Sequence, residues 1–216
     1  MGMYNELLFF AHIFVVTAAV VIALRHSYGA LLTVLALQMI VANIFVTKQI
    51  GLFGFHTTTS EVFVVSGMFG IGVVREYYGA DYARRCVWAV FGFFLLFTLL
   101  VQFQCAYEGV EQLYTHALDL VCSTTVRLFF ASMLAYLVSE RVHLVISSWL
   151  PKYRYAMVPL ITGQIVDTGV FAVVGLWGLV DSVGSVIAFS LIVKGIIIVT
   201  LAPVMMITHR LYKGFV

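Results

Sequence analysis

Long apolar stretches separated by short polar links run the length of the chain, and they set its architecture before any single residue is considered. A membrane-crossing helix needs about 20 mostly apolar residues. Seven stretches are candidates: residues 5–25, 28–50, 57–79, 86–106, 120–146, 157–178 and 183–208. The links are as short as Arg25-His26-Ser27, and no repeat or low-complexity tract interrupts the series. The pattern predicts an all-α, polytopic transmembrane helical bundle, with residues 1–216 forming one integral membrane domain. The third run is the least regular. Thr57-Thr58-Thr59-Ser60-Glu61 opens it polar, and Gly67, Gly70 and Gly72 interrupt it. As a crossing it gives seven spans. As a re-entrant or broken helix, which is tolerated only where protein or water covers its backbone, it leaves six.

Composition agrees with this reading. The chain is 62% hydrophobic and 10% charged, where soluble domains carry about 25% charged residues. The net charge of +2 is too small and too dispersed for direct nucleic-acid binding, so the bilayer is the expected large partner. The first apolar run carries Glu6 and no preceding Lys or Arg. It therefore lacks the basic region of a cleaved signal and reads as a retained span. Lys and Arg accumulate on the cytoplasmic side of membrane proteins. Arg25, Arg75, Arg84, Arg85, Arg141, Lys152, Arg154, Arg210 and Lys213 fall in alternate links, whereas Glu108, Glu111, Asp119 and Asp181 occupy the others. With seven crossings the N-terminus is outside and the C-terminus cytoplasmic.

Small residues mark close helix contacts in lipid: Gly67, Gly70 and Gly72 in run three, Ala131 and Ala135 in run five, Gly175 and Gly178 late in run six. Pro203 removes a backbone donor within run seven and predicts a bend there. Cys86, Cys105 and Cys122 show neither CxxC nor metal-ligand spacing, so they read as packing residues with no metal or redox role.

Lys48, Arg127 and Lys194 interrupt apolar runs. A charge at the bilayer centre costs roughly 2.5–3.5 kcal/mol on insertion scales, so it persists where it faces a partner or a polar cavity. Glu76, Gln164 and Asp167 are the candidate partners. Gln164 and Asp167 are three apart and share a helix face. Either they read a ligand bearing donors and acceptors, or Gln164 makes an interhelical bond. Arg127 reads as a counter-ion to Asp167 or Glu76, or as a ligand to substrate oxygen. Lys194, in mid-run, requires an internal partner, while Lys48 is near enough to the end of its run to snorkel. Asn43 is offset from Lys48 by five positions and reads as a ligand contact or a helix–helix bond. His56 follows the glycine-bracketed turn Gly51-Leu52-Phe53-Gly54-Phe55, where it is either an interfacial loop residue or a proton carrier.

HExxH, GxSxG, Walker A and dinucleotide fingerprints are absent, so no catalytic residue and no cofactor is expected. Without a nucleotide loop the chain does not hydrolyse ATP. Concentrative uptake then requires an ion gradient, downstream trapping or a separate energising module.

In order along the chain, Ala42-Asn43-Ile44 through Lys48, Gly54-Phe55-His56-Thr57-Thr58, Arg75-Glu76-Tyr77-Tyr78-Gly79 and Ala83-Arg84-Arg85 resemble the vitamin-uptake-transporter-like family of queuosine precursor transporters. So do Arg127, Ala131-Ser132, Ala135-Tyr136, Gln164, Asp167-Thr168 with Phe171, Lys194 and Pro203. The resemblance implies a multi-pass protein of the bacterial inner membrane that imports 7-deazaguanine compounds (preQ0, preQ1 or queuine) for transfer-RNA modification. The substrate-binding residues it suggests are Asn43, Lys48, Glu76, Arg127, Gln164, Asp167 and Lys194. A carboxylate would accept from the guanine-like N–H edge, an amide or cation would donate to its carbonyl, and aromatic rings would stack on it. The alternative is a substrate-binding subunit docked on an energy-coupling module; a homo-oligomer is also open. Three positions depart from the family pattern: Gly72 stands where an Asp is usual, and Glu140 and His143 where Gln and Asp are usual. These departures point towards queuine, which carries an extra cyclopentenediol.

Overall fold

The computed structural model describes residues 2–46, 48–107, 125–150, 157–178 and 183–213. Cys122, the first residues of the fifth run, and the loop charges Glu108, Glu111, Asp119, Lys152, Arg154 and Asp181 lie outside them, as does the side chain of His56. In hydrocarbon every backbone donor and acceptor must be satisfied within the segment, and the apolar runs accordingly become helices. They are α1 (Gly2–His26), α2 (Tyr28–Ile44), α3 (Ser60–Tyr78), α4 (Ala80–Ala106), α5 (Thr125–Trp149), α6 (Met157–Phe171) and α7 (Val183–Lys213). Ala172–Leu176 continues α6 as one π-helical segment. Five described helices are long and apolar enough to cross a membrane; α2, at 17 residues, is shorter. Their outward faces carry large apolar side chains such as Leu7, Phe14, Phe103, Ile165 and Val199, a surface suited to lipid rather than water.

Single residues separate two of the helix pairs. Ser27 caps α2, its hydroxyl accepting the Ala30 N–H at 3.1 Å. Gly79 divides α3 from α4 at φ 95°, a backbone region a side chain would strain. Such tight links force antiparallel neighbours.

Helix α3 occupies the centre, packed against α1, α2, α4, α6 and α7. It is an unbroken helix of 19 residues, so the broken form of run three is not adopted. Its glycines serve contact rather than interruption. A Cβ on Gly70 would strike Leu35 of α2, and one on Gly72 would sit 3.5 Å from the His143 ring of α5. Protein rather than lipid covers α3, which is why its sequence can be less apolar than its neighbours. The core around it is built from Ile13, Val20, Leu31, Leu35, Val65, Phe69, Val87 and Ile197.

The second run is shorter than its hydropathy suggests. Helix α2 stops at Ile44, and the link forms an antiparallel hairpin of β1 (Gln49–Leu52) and β2 (Phe55–Thr58). Its two-residue turn, Phe53-Gly54, has positive φ at both positions, 52° and 82°, the geometry that matches strand twist in two-residue hairpins. Phe53 is held there by the rings of Phe9 and Phe10 and by its N–H, which donates to Glu6 Oε1 at 3.3 Å. Asn5 Nδ2 donates to Gly51 O at 3.0 Å. The hairpin is thereby fastened to the start of α1.

The cysteines are not all packing residues. Cys86 is free and buried, but Cys105, at the end of α4, is disulfide-bonded. Helix α7 runs through Pro203 to Lys213.

Small residues set the α5–α6 spacing as their sequence positions suggest. A Cβ added to Gly175 would lie 3.0 Å from Ala131 Cβ and 3.4 Å from Leu128 Cδ2. Gly175→Val is therefore expected to destabilise the bundle by about 1–3 kcal/mol through overpacking. The readout is the melting temperature of purified protein in detergent. Gly92→Val, at a position with nothing within 4 Å, should leave it near wild type. Equal melting of the two variants would refute the close-packing argument.

Candidate functional site

The end of α2, the starts of α3, α5 and α7, and the end of α6 converge beside the hairpin on a cavity of 310 Å³. Its charged centre is Lys194 from α7. The ammonium donates to Asp167 Oδ2 at 2.8 Å and to Thr168 Oγ1 at 2.9 Å, and pairs with Glu61 Oε2 at 3.3 Å. Ser190, one turn before Lys194, donates to the other Glu61 oxygen. Lys194 is 3% exposed, against 14% for Glu61 and 13% for Asp167. One cation therefore holds two carboxylates at the cavity wall and leaves a net negative charge facing the space. Asn43 adds an amide whose Nδ2 donates back to Met39 O at 2.9 Å, while its Oδ1 has no hydrogen-bond partner. Phe171 supplies an aromatic face, and Ser132 and Ala135 line the α5 side.

Of the residues singled out from the sequence, Asn43, Asp167 and Lys194 line this cavity. The other four do not. Lys48 lies after the end of α2 and is exposed, because the helix stops earlier than the apolar run. Arg127 pairs with neither Asp167 nor Glu76. Its Nε donates to Val174 O at 3.0 Å and its Nη2 to Trp177 O at 2.6 Å, satisfying carbonyls released where the helix ends. Gln164 turns towards α3, its Nε2 3.4 Å from Met68 Sδ. Glu76 lies at the far end of α3 from Glu61, about 22 Å along the axis at ~1.5 Å per residue. Glu61, not Glu76, is the α3 carboxylate that pairs with Lys194. It was visible only as part of the polar opening of run three.

Glu140 and His143, two of the departures from the family pattern, are each other's partners: His143 Nδ1 and Glu140 Oε2 are 3.2 Å apart, and both side chains are buried. At the end of the bundle opposite the cavity, the rings of Tyr28, Tyr78 and Tyr82 pack 5.2 to 6.0 Å apart. Among the described residues no cluster of His, Cys, Asp and Glu could hold a metal ion.

A helical bundle with an apolar exterior and a charge-lined internal cavity is the construction of a multi-pass membrane protein with a polar internal site. The sequence pattern of the family described as putative vitamin uptake transporter matches residues 59–208, and the chain belongs to that family. It is 31% identical over 103 residues to a protein of Bacillus subtilis (strain 168) named probable queuosine precursor transporter. That alignment covers 46% of this chain and 44% of the relative, so the chain spans less than half the length of the curated relative it matches. No solved structure matches the chain.

Proposed function

We propose that this protein imports queuosine precursors, 7-deazaguanine compounds salvaged for transfer-RNA modification, across the bacterial inner membrane. The observation that carries the reading is the cavity centred on Lys194, Glu61 and Asp167. A guanine-like edge presents N–H donors beside a carbonyl. The two carboxylates accept from the former, Lys194 or Asn43 donates to the latter, and Phe171 offers a stacking face. A cavity of 310 Å³ falls at the small end of ligand sites, a fit for a single base. The net negative charge favours precursors that carry an amine, preQ1 and queuine, over the nitrile preQ0.

Orientation supports import. The cavity lies at the end away from Arg25, Arg75, Arg84, Arg85 and Arg141, which the positive-inside tendency assigns to the cytoplasm. The disulfide at Cys105 is at the same end as the cavity, and disulfides persist on the oxidising side of a membrane. Substrate therefore enters from outside.

The test is uptake in bacteria that make no queuosine precursor, lack their own importer and contain the enzyme using each compound. With this chain expressed, low preQ1 or queuine should restore queuosine in transfer RNA, and preQ0 should require higher concentrations. A correctly inserted protein that restores none of them would reject the proposal. Uptake by the purified chain in liposomes would exclude dependence on an energising module.

A further inference from the structure

We infer that Glu140 and His143 form a proton-binding site, separate from the substrate cavity, that couples import to the proton gradient; this rests on the transporter reading above. Neither residue lines the substrate cavity. They sit on α5 beyond Ala135, the last α5 residue of that cavity, with Glu140 about 7.5 Å further along the axis at ~1.5 Å per residue. Glu140 is 1% exposed and His143 3%. A carboxylate and an imidazole buried this deeply in an apolar bundle cost stability that well-packed apolar side chains would not. Buried ionisable groups inside membrane bundles mark ion and proton pathways.

A second, smaller cavity lies between Glu140 of this pair and Asp167 of the charged centre. It is lined by Glu140, Tyr136, Gly67, Ile71, Val90 and Asp167, among others. Its volume of 20 Å³ is enough for about one water molecule. Asp167 lines both cavities, so the carboxylate that holds Lys194 on one side faces the space containing Glu140 on the other. Among the described residues that line this small cavity, few others are titratable. Helix α6 brings Asp167, α4 brings the Cys86 thiol within electrostatic reach of Glu140, and α5 itself brings Tyr136. Helix α2 contributes Leu35 and Met39, and α3 contributes Gly67, Met68 and Ile71, none of them titratable. Gly72 of α3 packs against the His143 ring, a Cβ there being 3.6 Å from Nε2, and Glu76 stands one turn further along α3.

The step is a simple proton transfer. A proton enters from the outer water through the substrate cavity and passes Asp167 to the pair. The pair goes from one net negative charge to neutral by binding it, on carboxylate or imidazole. The same proton leaves to the cytoplasm when the cycle exposes the pair there. One proton enters and one leaves, and no other reactant is consumed.

The experiment combines transport and spectroscopy on purified protein. In liposomes, preQ1 and queuine are offered first in equal-pH exchange and then with an acid-outside gradient. One-to-one coupling supports up to about tenfold accumulation per pH unit. Wild type should show gradient-driven accumulation, whereas Glu140→Gln and His143→Gln should retain exchange but lose the response to the gradient. Infrared titration in detergent should show a carboxylic-acid band that Glu140→Gln removes, a readout needing no transport. Wild-type exchange that ignores the gradient would overturn the coupling and leave the transporter reading intact. Variants that follow the gradient like wild type would overturn the assignment to this pair. Failure of wild type to exchange either compound would overturn both readings.

Discussion

Lys194→Met is expected to abolish uptake and to lower stability by about 3–5 kcal/mol, the cost of breaking a buried ion pair from one side. The lysine is 3% exposed and holds Glu61 and Asp167 together. Its removal leaves two carboxylates turned towards the same point in a wall that cannot hydrate them fully. Thermal unfolding in detergent should show a large drop, beside loss of queuosine precursor uptake in cells. Adding Glu61→Gln and Asp167→Asn to the lysine variant removes the repulsion. The triple variant should regain most of the melting temperature and none of the transport. If the single variant melts like wild type and still transports, the triad neither stabilises the bundle nor binds substrate.

Ser132→Trp should reduce uptake to below a tenth of wild type, equivalent to about 1.4 kcal/mol or more of lost binding, while changing the melting temperature little. Ser132 is half-buried on the cavity wall, so an indole there occupies space rather than displacing packed helix. Lys48→Ala is the contrast. That lysine is exposed beyond the end of α2, and its loss should leave uptake near wild type. Initial rates measured at matched membrane abundance decide between the outcomes. Undiminished transport by the tryptophan variant would mean that substrate passes elsewhere.

These predictions rest on residues that were unevenly legible in the sequence. Helix existence was readable because lipid demands long apolar segments: residues 5–25 became Gly2–His26, and 183–208 became Val183–Lys213. The end of α2 was not, since Phe45, Val46 and Ile50 extend the apolar pattern past Ile44 while the chain turns into a hairpin. Two four-residue strands carry too short an alternation to compete with that signal. Lys194 and Asp167 were legible as groups that need internal partners, because a charge deep in an apolar run must be satisfied, and they pair with each other. Arg127 obeyed the same rule with a different answer. Composition reveals that a cation needs acceptors, but the carbonyls of Val174 and Trp177 exist as acceptors only once the helix end is formed. Glu61 and Glu76 presented the reverse problem, two carboxylates on one helix with nothing in the sequence to say which end meets Lys194. Cys105 was misread for a similar reason, since disulfide pairing is a matter of distance in space and not of spacing.

The hairpin links the cavity wall to the start of the chain. Glu61, Asp167 and Lys194 all fall within residues 59–208, the stretch shared with the family, whereas Met39, Asn43, Gln49 and Thr58 line the same cavity from the preceding part of the chain. The wall around the charge centre thus includes a hairpin tied to the start of α1 through Asn5 and Glu6. A substitution at Asn5 or Glu6 would therefore reach the cavity wall without either residue touching the cavity.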